Sequence, residues 1–334
     1  MIATDRPYLT TRGTLAFAHR GGSLEYPENT MASFQVAVDL GYLHLETDTQ
    51  LTRDGVLLAF HDETLDRVTD LTGPVHGRTL EEIRRADAAY RFSHDGGRTH
   101  PLRGTGIGIP TLEEVLVGFP HTRFNIDAKT RRVVAPLAAL IRRLGAADQV
   151  CIGSFSDARL RRFRRLSGGG VCTSMGRNAI VTARLTSLAG RMPAFGASCV
   201  QVPTAQWGVR VVDRAFIRAA HRGGLQVHVW TIDDRAEMER LLDLEVDGIM
   251  SDRPALLREV LQARGRWAGA EMGGQRDSNP RPPDPQSGTL TSCAMATAQG
   301  SRRRVARPVI IRVPTRRPDC HRPGRSYTGA SAPP

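Results

Sequence analysis

Polar side chains that can take part in catalysis gather in this sequence where short apolar segments end. The segments at 15–18, 56–60 and 124–126 are each followed at once by such residues, and the segment at 43–48 ends in two carboxylates. If these segments are parallel strands of one barrel, their carboxyl ends meet on one face and the side chains converge. The residues concerned are His19, Arg20, Glu46, Asp48, His61, Asp127 and Lys129.

Three of these residues, Glu46, Asp48 and Asp127, have the chemistry of a site for a hard metal ion. Side chains alternate between the two faces of a strand, so Glu46 and Asp48 point the same way. Two carboxylates side by side repel each other, and burying them is costly unless a cation compensates. With Asp127 as a third oxygen ligand, the pattern predicts a Mg²⁺ or Ca²⁺ site. The alternative for the Glu46–Asp48 pair alone is a solvated strand end.

The basic residues near these carboxylates predict contacts with an anion and proton transfer. Lys129 is the only lysine among 46 Lys and Arg residues, and we expect its ammonium group to contact an anionic oxygen of the substrate. The alternative is a lone surface lysine. His19 and His61 are the candidate general acid and base, because imidazole titrates near neutral pH. His44 and His228 are expected one layer deeper, as packing residues.

Eight β-rich segments alternate with amphipathic helical segments over about 250 residues, which predicts a (β/α)8 barrel. A doubly wound open sheet is the alternative, but no GxGxxG motif follows the first strand. Residues 62–108 are polar and glycine-rich, and we interpret them as an insertion after the second strand. The expected domain covers residues 1–265. The predicted strands are 14–18, 42–48, 123–127, 150–155, 171–174, 198–202, 225–231 and 247–251.

The net charge of +12 comes mainly from the C-terminal part of the chain. Residues 266–334 carry 12 arginines against 4 acidic residues, whereas residues 1–265 carry 34 basic and 30 acidic side chains. A polyanion-binding body is therefore not indicated. The proline- and arginine-rich residues 266–334 are expected to be a disordered tail without a role. The alternatives are a basic arm for nucleic acid or anionic lipid, and the translated sequence of a transfer-RNA gene, which residues 275–291 resemble.

Neither a targeting segment nor a disulfide framework is predicted. Residues 1–12 lack the basic-then-apolar order of a signal peptide, and no window approaches the roughly 20 apolar residues that span a bilayer. The five cysteines are scattered, odd in number and without CxxC pairs. This pattern argues against both disulfides and a structural zinc site. We therefore expect a cytoplasmic protein.

The motifs together resemble those of the glycerophosphodiester phosphodiesterases, a family of metal-dependent barrel enzymes. The similarity runs in order through residues 14–262 and rests on HRGG and PENT, ETD, FHD, NIDAK, VWT and DGIMSDRP. It implies that His19 and His61 are the catalytic acid and base. It also implies that the three carboxylates bind the metal, and many members have Glu in place of Asp127.

The resemblance further implies how the substrate is held. Arg20 and Lys129 would bind the phosphate, and Trp230 would line the wall for the glycerol or the leaving group. The activity implied is hydrolysis of glycerophosphodiesters to sn-glycerol 3-phosphate and an alcohol such as choline or ethanolamine.

Two other functions are kept open. A lysophospholipase D or sphingomyelinase-D-like activity would require an apolar groove or an interfacial helix at the barrel mouth. The body shows no strongly amphipathic basic helix with exposed aromatic residues. Aromatic residues of all kinds make up only 5% of the chain. The second alternative is a non-catalytic barrel whose basic tail binds nucleic acid. The expected partner is a small diester, with neither nucleic acid nor stable membrane association expected; the oligomeric state is left open.

Overall fold

The computed structural model describes residues 6–206 and 208–270. The predicted barrel lies in this part of the chain. From residue 271 onward, the segment expected to be a disordered tail lies outside the described residues.

Each of the eight predicted strands is present, and all eight run parallel to one another in a single sheet. Their residues are buried almost throughout, as the strands of a parallel barrel must be when helices cover their outer face. The barrel strands are β1 (Leu15–Ala18), β2 (His44–Leu51), β4 (Arg123–Ala128), β5 (Val150–Gly153), β6 (Cys172–Thr173), β7 (Cys199–Val202), β10 (Gln226–Val229) and β11 (Gly248–Ser251). The remaining strands are β3 (Leu57–Ala59), which pairs antiparallel with β2, and the separate hairpin of β8 (Ala205–Gln206) and β9 (Val209–Arg210).

The order of the parallel strands is β6-β5-β4-β2-β1-β11-β10-β7. An isolated parallel bridge between Ser174 and Cys199 joins the two outer strands, so the sheet closes almost completely on itself. The prediction of a (β/α)8 barrel is confirmed. Closure also places the last strand, β11, directly beside β1.

Helices cover the outside of the barrel, and six of those in the described residues begin after a Ser, Thr or Asp side chain that accepts a backbone hydrogen bond. Such caps satisfy amide groups that the first turn of a helix leaves without a partner. The helices are α1 (Met31–Asp39), α2 (Leu80–Ile83), α3 (Leu112–Gly118), α4 (Val134–Leu144), α5 (Asp157–Leu166), α6 (Arg177–Ser187), α7 (Arg214–Arg222), α8 (Arg235–Asp243) and α9 (Pro254–Ala263).

Residues 62–108 form the predicted insertion, which follows the hairpin of β2 and β3. Its buried side chains, among them Leu65 and Ile83, pack with Leu58 and Phe60 of the hairpin in a hydrophobic cluster separate from the main core. The insertion is therefore anchored to the hairpin immediately before His61.

The HRGG turn after β1 depends on its two glycines. Gly21 and Gly22 have φ angles of 83° and 100°, in the region that side chains disfavour. A β-carbon on Gly21 would lie 2.4 Å from Ser33 Oγ, and one on Gly22 would lie 2.6 Å from the ring of Pro254. The glycines thus allow the first turns of α1 and α9 to pack closely against the end of β1, where His19 begins the turn.

Residues 266–270 pack against the barrel, so the body extends beyond the predicted boundary at residue 265. The Trp267 ring meets the Tyr42 ring edge-on, with centroids 5.1 Å apart. The Ala270 amide donates a hydrogen bond to the Gly41 carbonyl. A chain ending at residue 265 would lose this packing.

His44 and His228 are buried within the barrel, as predicted. Burial lowers the pKa of His228 to about 4. Below about pH 6.5 the unfolded chain therefore binds a proton at His228 that the folded chain accepts only near pH 4. We expect the free energy of unfolding to fall as pH decreases through this window, with His228 contributing up to about 1.4 kcal/mol per pH unit. Urea unfolding of the wild type and of His228→Gln, measured at several pH values across this window, gives the contribution of His228. An equal pH dependence of the free energy of unfolding in the two proteins would contradict this prediction.

Candidate active site

All eight side chains to which the sequence assigned a role line one cleft at the carboxyl ends of the barrel strands. The cleft has a volume of about 500 Å³, within the range of small-molecule sites. One part of its wall is charged and the other is apolar. The eight residues are His19, Arg20, Glu46, Asp48, His61, Asp127, Lys129 and Trp230.

Strand register brings the three carboxylates into the same cleft. Glu46 and Asp48 project from the same face of β2, and Asp48 is directly opposite Asp127 of β4. The side chains of Glu46 and Asp48 are 6% and 2% exposed. One oxygen of Asp127, Oδ1, is buried and accepts no hydrogen bond within the described residues. An unpartnered carboxylate oxygen opposite a second buried carboxylate is the kind of hard oxygen donor that a divalent cation takes. Among the described residues the three carboxylates do not bring one oxygen each within 4.8 Å of one another, and Lys129 Nζ lies between Asp48 and Asp127.

The electrostatics of the carboxylates point the same way. Burial, together with the neighbouring charge of Asp48, raises the pKa of Glu46 to about 7. Burial also acts to raise the pKa of Asp48, but the charges of Lys129 and Arg20 outweigh it and hold this pKa below its usual value. With these cations nearby Asp48 is ionised at neutral pH and Glu46 only partly so, and a further positive charge would favour the ionised form of Glu46.

Two cations, Lys129 and Arg20, contact the carboxylates. Lys129 Nζ lies 2.7 Å from Asp48 Oδ1 and 2.8 Å from Asp127 Oδ2. Arg20 Nε lies 3.2 Å from Asp48 Oδ2. Burial acts to lower the pKa of Lys129, but the carboxylates of Asp48 and Asp127 outweigh it and raise this pKa. Both cations line the cleft and remain positively charged.

His19 is held by a carboxylate that the sequence analysis did not assign. Its Nδ1 lies 2.7 Å from Asp252 Oδ1, and its Nε2 lies 3.7 Å from Glu46 Oε2 on the cleft side. Burial acts to lower the pKa of His19, but the Glu46 and Asp252 carboxylates outweigh it and raise the pKa. Asp252 is itself fixed, because its Oδ1 accepts from Ser23 Oγ and its amide donates to Asp233.

We expect Asp252→Asn to lower kcat/KM at least ~10-fold, because the variant no longer fixes the tautomer of His19. The loss of the negative charge also lowers the pKa of His19, so the limb of the pH–rate profile that depends on His19 should move to lower pH. The profiles of Asp252→Asn and of the surface control Asp243→Asn, compared with the wild type, measure both effects. An unchanged profile in Asp252→Asn would show that this contact does not serve catalysis.

His61 has a similar arrangement across the cleft mouth. Its Nδ1 hydrogen-bonds to Asp62, and the Arg67 guanidinium contacts both Asp62 and Glu28. Glu28 also accepts a hydrogen bond from Arg20, at 3.1 Å. A connected set of charges therefore links the insertion to the HRGG turn, and Glu28, within the PENT motif, was not assigned by the sequence analysis.

The apolar part of the cleft wall is more extensive than the sequence indicated. It includes Phe155, Met175, Ile180, Val211 and Trp230. The rings of Trp230 and Phe155 meet edge-on with centroids 5.8 Å apart. Trp230 thus lies on the wall, where the resemblance placed it, and it belongs to a larger apolar surface.

Three buried cysteines, Cys151, Cys172 and Cys199, also come together, with their sulfur atoms within 4.8 Å of one another. They project from β5, β6 and β7 and pack in the barrel interior with Tyr8 and Phe17. Their wide spacing in the sequence gave no sign of this proximity, which barrel closure creates.

The fold and the cleft define a TIM-barrel enzyme with its active site at the carboxyl ends of the strands. The sequence model of the glycerophosphoryl diester phosphodiesterase family matches residues 19–256. A Mycobacterium tuberculosis protein described as probable glycerophosphodiester phosphodiesterase 2 is 40% identical over 270 residues, covering 79% of this chain and 96% of that protein.

Two solved structures have the same fold. A glycerophosphodiester phosphodiesterase from Agrobacterium tumefaciens matches with a TM-score of 0.60 and 29% identity, covering 73% of this chain and 98% of that one. A phosphodiesterase from Oleispira antarctica, in complex with the product sn-glycerol-3-phosphate, matches with a TM-score of 0.62 and 23% identity, covering 75% and 97%. The chain belongs to the glycerophosphoryl diester phosphodiesterase family and is a phosphoric diester hydrolase. No helix in the described ranges is long and apolar enough to cross a membrane.

Proposed function

We propose that this enzyme hydrolyses glycerophosphodiesters, such as glycerophosphocholine or glycerophosphoethanolamine, to sn-glycerol 3-phosphate and the free alcohol, with a divalent cation. The observation that supports this most is the meeting of three carboxylates, two cations and two carboxylate-backed histidines in one cleft. These groups suit the hydrolysis of a phosphodiester. Its negative charge repels nucleophiles until cations offset it, and its alkoxide leaving group must be protonated by an acid.

Glu46, Asp48 and Asp127 would hold one Mg²⁺ or Ca²⁺ ion. The buried, unpartnered Oδ1 of Asp127 and the raised pKa of Glu46 support this role. When bound, the ion neutralises the charge that develops on the phosphoryl oxygens. Many members of the family have Glu at the position of Asp127. The Asp side chain is one methylene shorter, and strand register places it directly opposite Asp48.

Arg20 and Lys129 would bind the phosphate. Both now contact carboxylates, and both line the cleft. A phosphate oxygen offers each of them an acceptor with the same charge, so a substrate can replace these contacts without leaving a cation unpaired. Arg20 presents a planar, bidentate donor, whereas Lys129 acts as a compact point charge.

The two histidines would carry the protons. Each has a carboxylate at Nδ1, Asp252 for His19 and Asp62 for His61, which leaves Nε2 available for substrate. One histidine deprotonates the nucleophile, either water or the neighbouring glycerol hydroxyl through a cyclic phosphate. The other protonates the departing alkoxide. We assign His19 as the base and His61 as the acid.

The identity of the products tests this proposal. The full chain is incubated with glycerophosphocholine and a divalent cation, and the products are separated. We expect sn-glycerol 3-phosphate and choline. Release of glycerol and phosphocholine would mean that the other P–O bond is broken. The assignment of choline as the leaving group would then be wrong.

The apolar wall favours a second candidate, hydrolysis of lysophospholipids by the same groups. The sequence analysis made this activity depend on an apolar groove, and Met175, Ile180 and Val211 form such a surface beside the charged groups. An acyl chain that covers them would be removed from water, at about 25 cal/mol per Å² of apolar area. The ratio of kcat/KM for lysophosphatidylcholine to that for glycerophosphocholine distinguishes the two. Ile180→Glu should lower the rate with the lysolipid more than that with the small diester.

A further inference from the structure

One face of α6 is apolar and exposed to solvent. Val181, Leu185 and Leu188 follow each other at intervals of four and three residues, so they form one stripe along the helix. Their exposed fractions are 48%, 66% and 70%. Leu188 is the residue at which the helix ends, and it keeps helical backbone angles. The stripe therefore points away from the barrel core.

The stripe continues into the rim of the active-site cleft. Val181 and Leu185 line the cleft, as do Val209 of the β8–β9 hairpin and Phe155. Val209 is 59% exposed and Phe155 is 50% exposed. We call these five residues the rim surface: Phe155, Val181, Leu185, Leu188 and Val209. A group of exposed apolar side chains beside an active site marks a place where an apolar partner binds.

The chain segment that contains four of the five rim residues is strongly basic. Between Asp157 and Asp213 the sequence contains nine arginines and no acidic residue. The rest of residues 1–265 contains 25 basic and 30 acidic side chains. Positive charge is thus concentrated in the segment that contains α5, α6 and the hairpin. Arg177 and Arg184 of α6 line the cleft themselves.

We propose that the rim surface docks on a lipid bilayer that contains anionic phospholipids, with its apolar side chains in the acyl boundary and the surrounding arginines at the headgroups. Apolar residues beside arginines are the combination that binds such an interface. On α6 these arginines are Arg177 and Arg184, the second of which also pairs with Asp213. The docked orientation places the cleft mouth against the bilayer, so that a single-chain lipid can pass from the bilayer to the apolar wall. This inference rests on the proposed function, because docking serves an enzyme that takes its substrate from the bilayer. It differs from the expectation of no stable membrane association drawn from the sequence.

Vesicle binding tests the docking with the full chain. Vesicles of phosphatidylcholine with phosphatidylglycerol are sedimented with the wild type, with Leu185→Gln/Leu188→Gln, and with Leu43→Gln/Val117→Gln. The third protein is the matched control, because Leu43 and Val117 are also exposed but lie outside the rim surface. All substitutions are neutral, so the arginines of residues 271–334 contribute equally to each protein. The measurements are made at about 0.15 M salt, where a Debye length of about 8 Å leaves the arginines beside the rim surface able to attract anionic headgroups.

We expect the wild type and the control to bind equally and the rim variant to bind at least ~10-fold more weakly, because each leucine side chain loses its burial in the acyl boundary. Equal binding by all three proteins would overturn the proposal. So would a wild-type oligomer that dissociates in the rim variant, because a second copy would then cover the surface. Glycerophosphocholine hydrolysis without vesicles is measured in parallel. A chain that hydrolyses this diester but does not bind vesicles refutes the docking alone, and a chain that binds vesicles but releases no glycerol 3-phosphate refutes the proposed function alone.

Discussion

Replacement of Asp48 by Asn is expected to lower kcat/KM for glycerophosphocholine about 10³-fold. Asp48 is the most buried of the three carboxylates, and both Lys129 and Arg20 contact it. Asn has nearly the same shape but no charge, so it would bind a divalent cation weakly and would no longer position the two cations. Loss of several kcal/mol of transition-state stabilisation corresponds to this factor. Steady-state kinetics of the purified variant measure the effect.

Asp39→Asn is the matched control for this prediction, because Asp39 lies at the end of α1 and its carboxylate contacts Gln35. The control should keep wild-type kinetics. A thermal unfolding curve distinguishes a catalytic loss from a folding defect. If folded Asp48→Asn retained more than about a tenth of wild-type activity, the carboxylate would have no essential role in the site.

Replacement of either His19 or His61, the proposed base and acid, by Ala is expected to lower kcat about 10²–10⁴-fold, the usual contribution of a positioned acid or base. His61→Ala and His19→Ala are compared with His76→Ala, whose histidine is exposed in the insertion. The two catalytic variants should respond differently to the leaving group. A diester that releases a nitrophenol needs little protonation, so it should restore activity to the variant that lacks the acid.

With His61 as the acid, the nitrophenyl substrate should recover much of the rate of His61→Ala and little of that of His19→Ala. The reverse pattern would exchange the two roles. Wild-type activity in either alanine variant with a choline leaving group would contradict the histidine mechanism altogether.

The sequence predicted much of this site because the barrel makes position depend on strand order and parity. Glu46 and Asp48 had to share a face of β2, and the ends of neighbouring parallel strands had to converge. These rules need no knowledge of side-chain packing. They were sufficient to place seven of the eight assigned residues in the cleft, and the family resemblance added Trp230.

Asp252 and Glu28 were missed for a different reason. Their contacts with His19 and Arg20 join segments that are distant in the sequence. A signal for Asp252 did exist: in a closed barrel the last strand lies beside the first, so a carboxylate after β11 is near the turn that follows β1. Glu28 carried no such signal, because its position depends on how the loop before α1 folds over the strand ends.

Most of the apolar wall and the rim surface was missed because these residues lie outside the barrel strands, in α6, in the loops after β5 and β6, and in and beside the β8–β9 hairpin. The pattern of α6 shows which residues share a face, but not whether that face is covered. Val181, Leu185 and Leu188 would be core residues if another element packed on them, and the sequence alone does not distinguish the two cases. Residues 266–270 pack beyond the expected boundary at residue 265 for a similar reason, since Trp267 contacts Tyr42 and bridges to Thr14, both distant in the sequence.

The most direct test of the central claim is the release of sn-glycerol 3-phosphate from glycerophosphocholine by the full chain after removal of bound metal with EDTA. The stripped protein is assayed alone, with Mg²⁺ and with Ca²⁺. We expect no release from the stripped protein and restoration by one or both ions, because the clustered carboxylates repel one another and an anionic substrate until a cation is bound. Full activity of the stripped protein, with no response to either ion, would contradict the assignment of Glu46, Asp48 and Asp127 as a metal site.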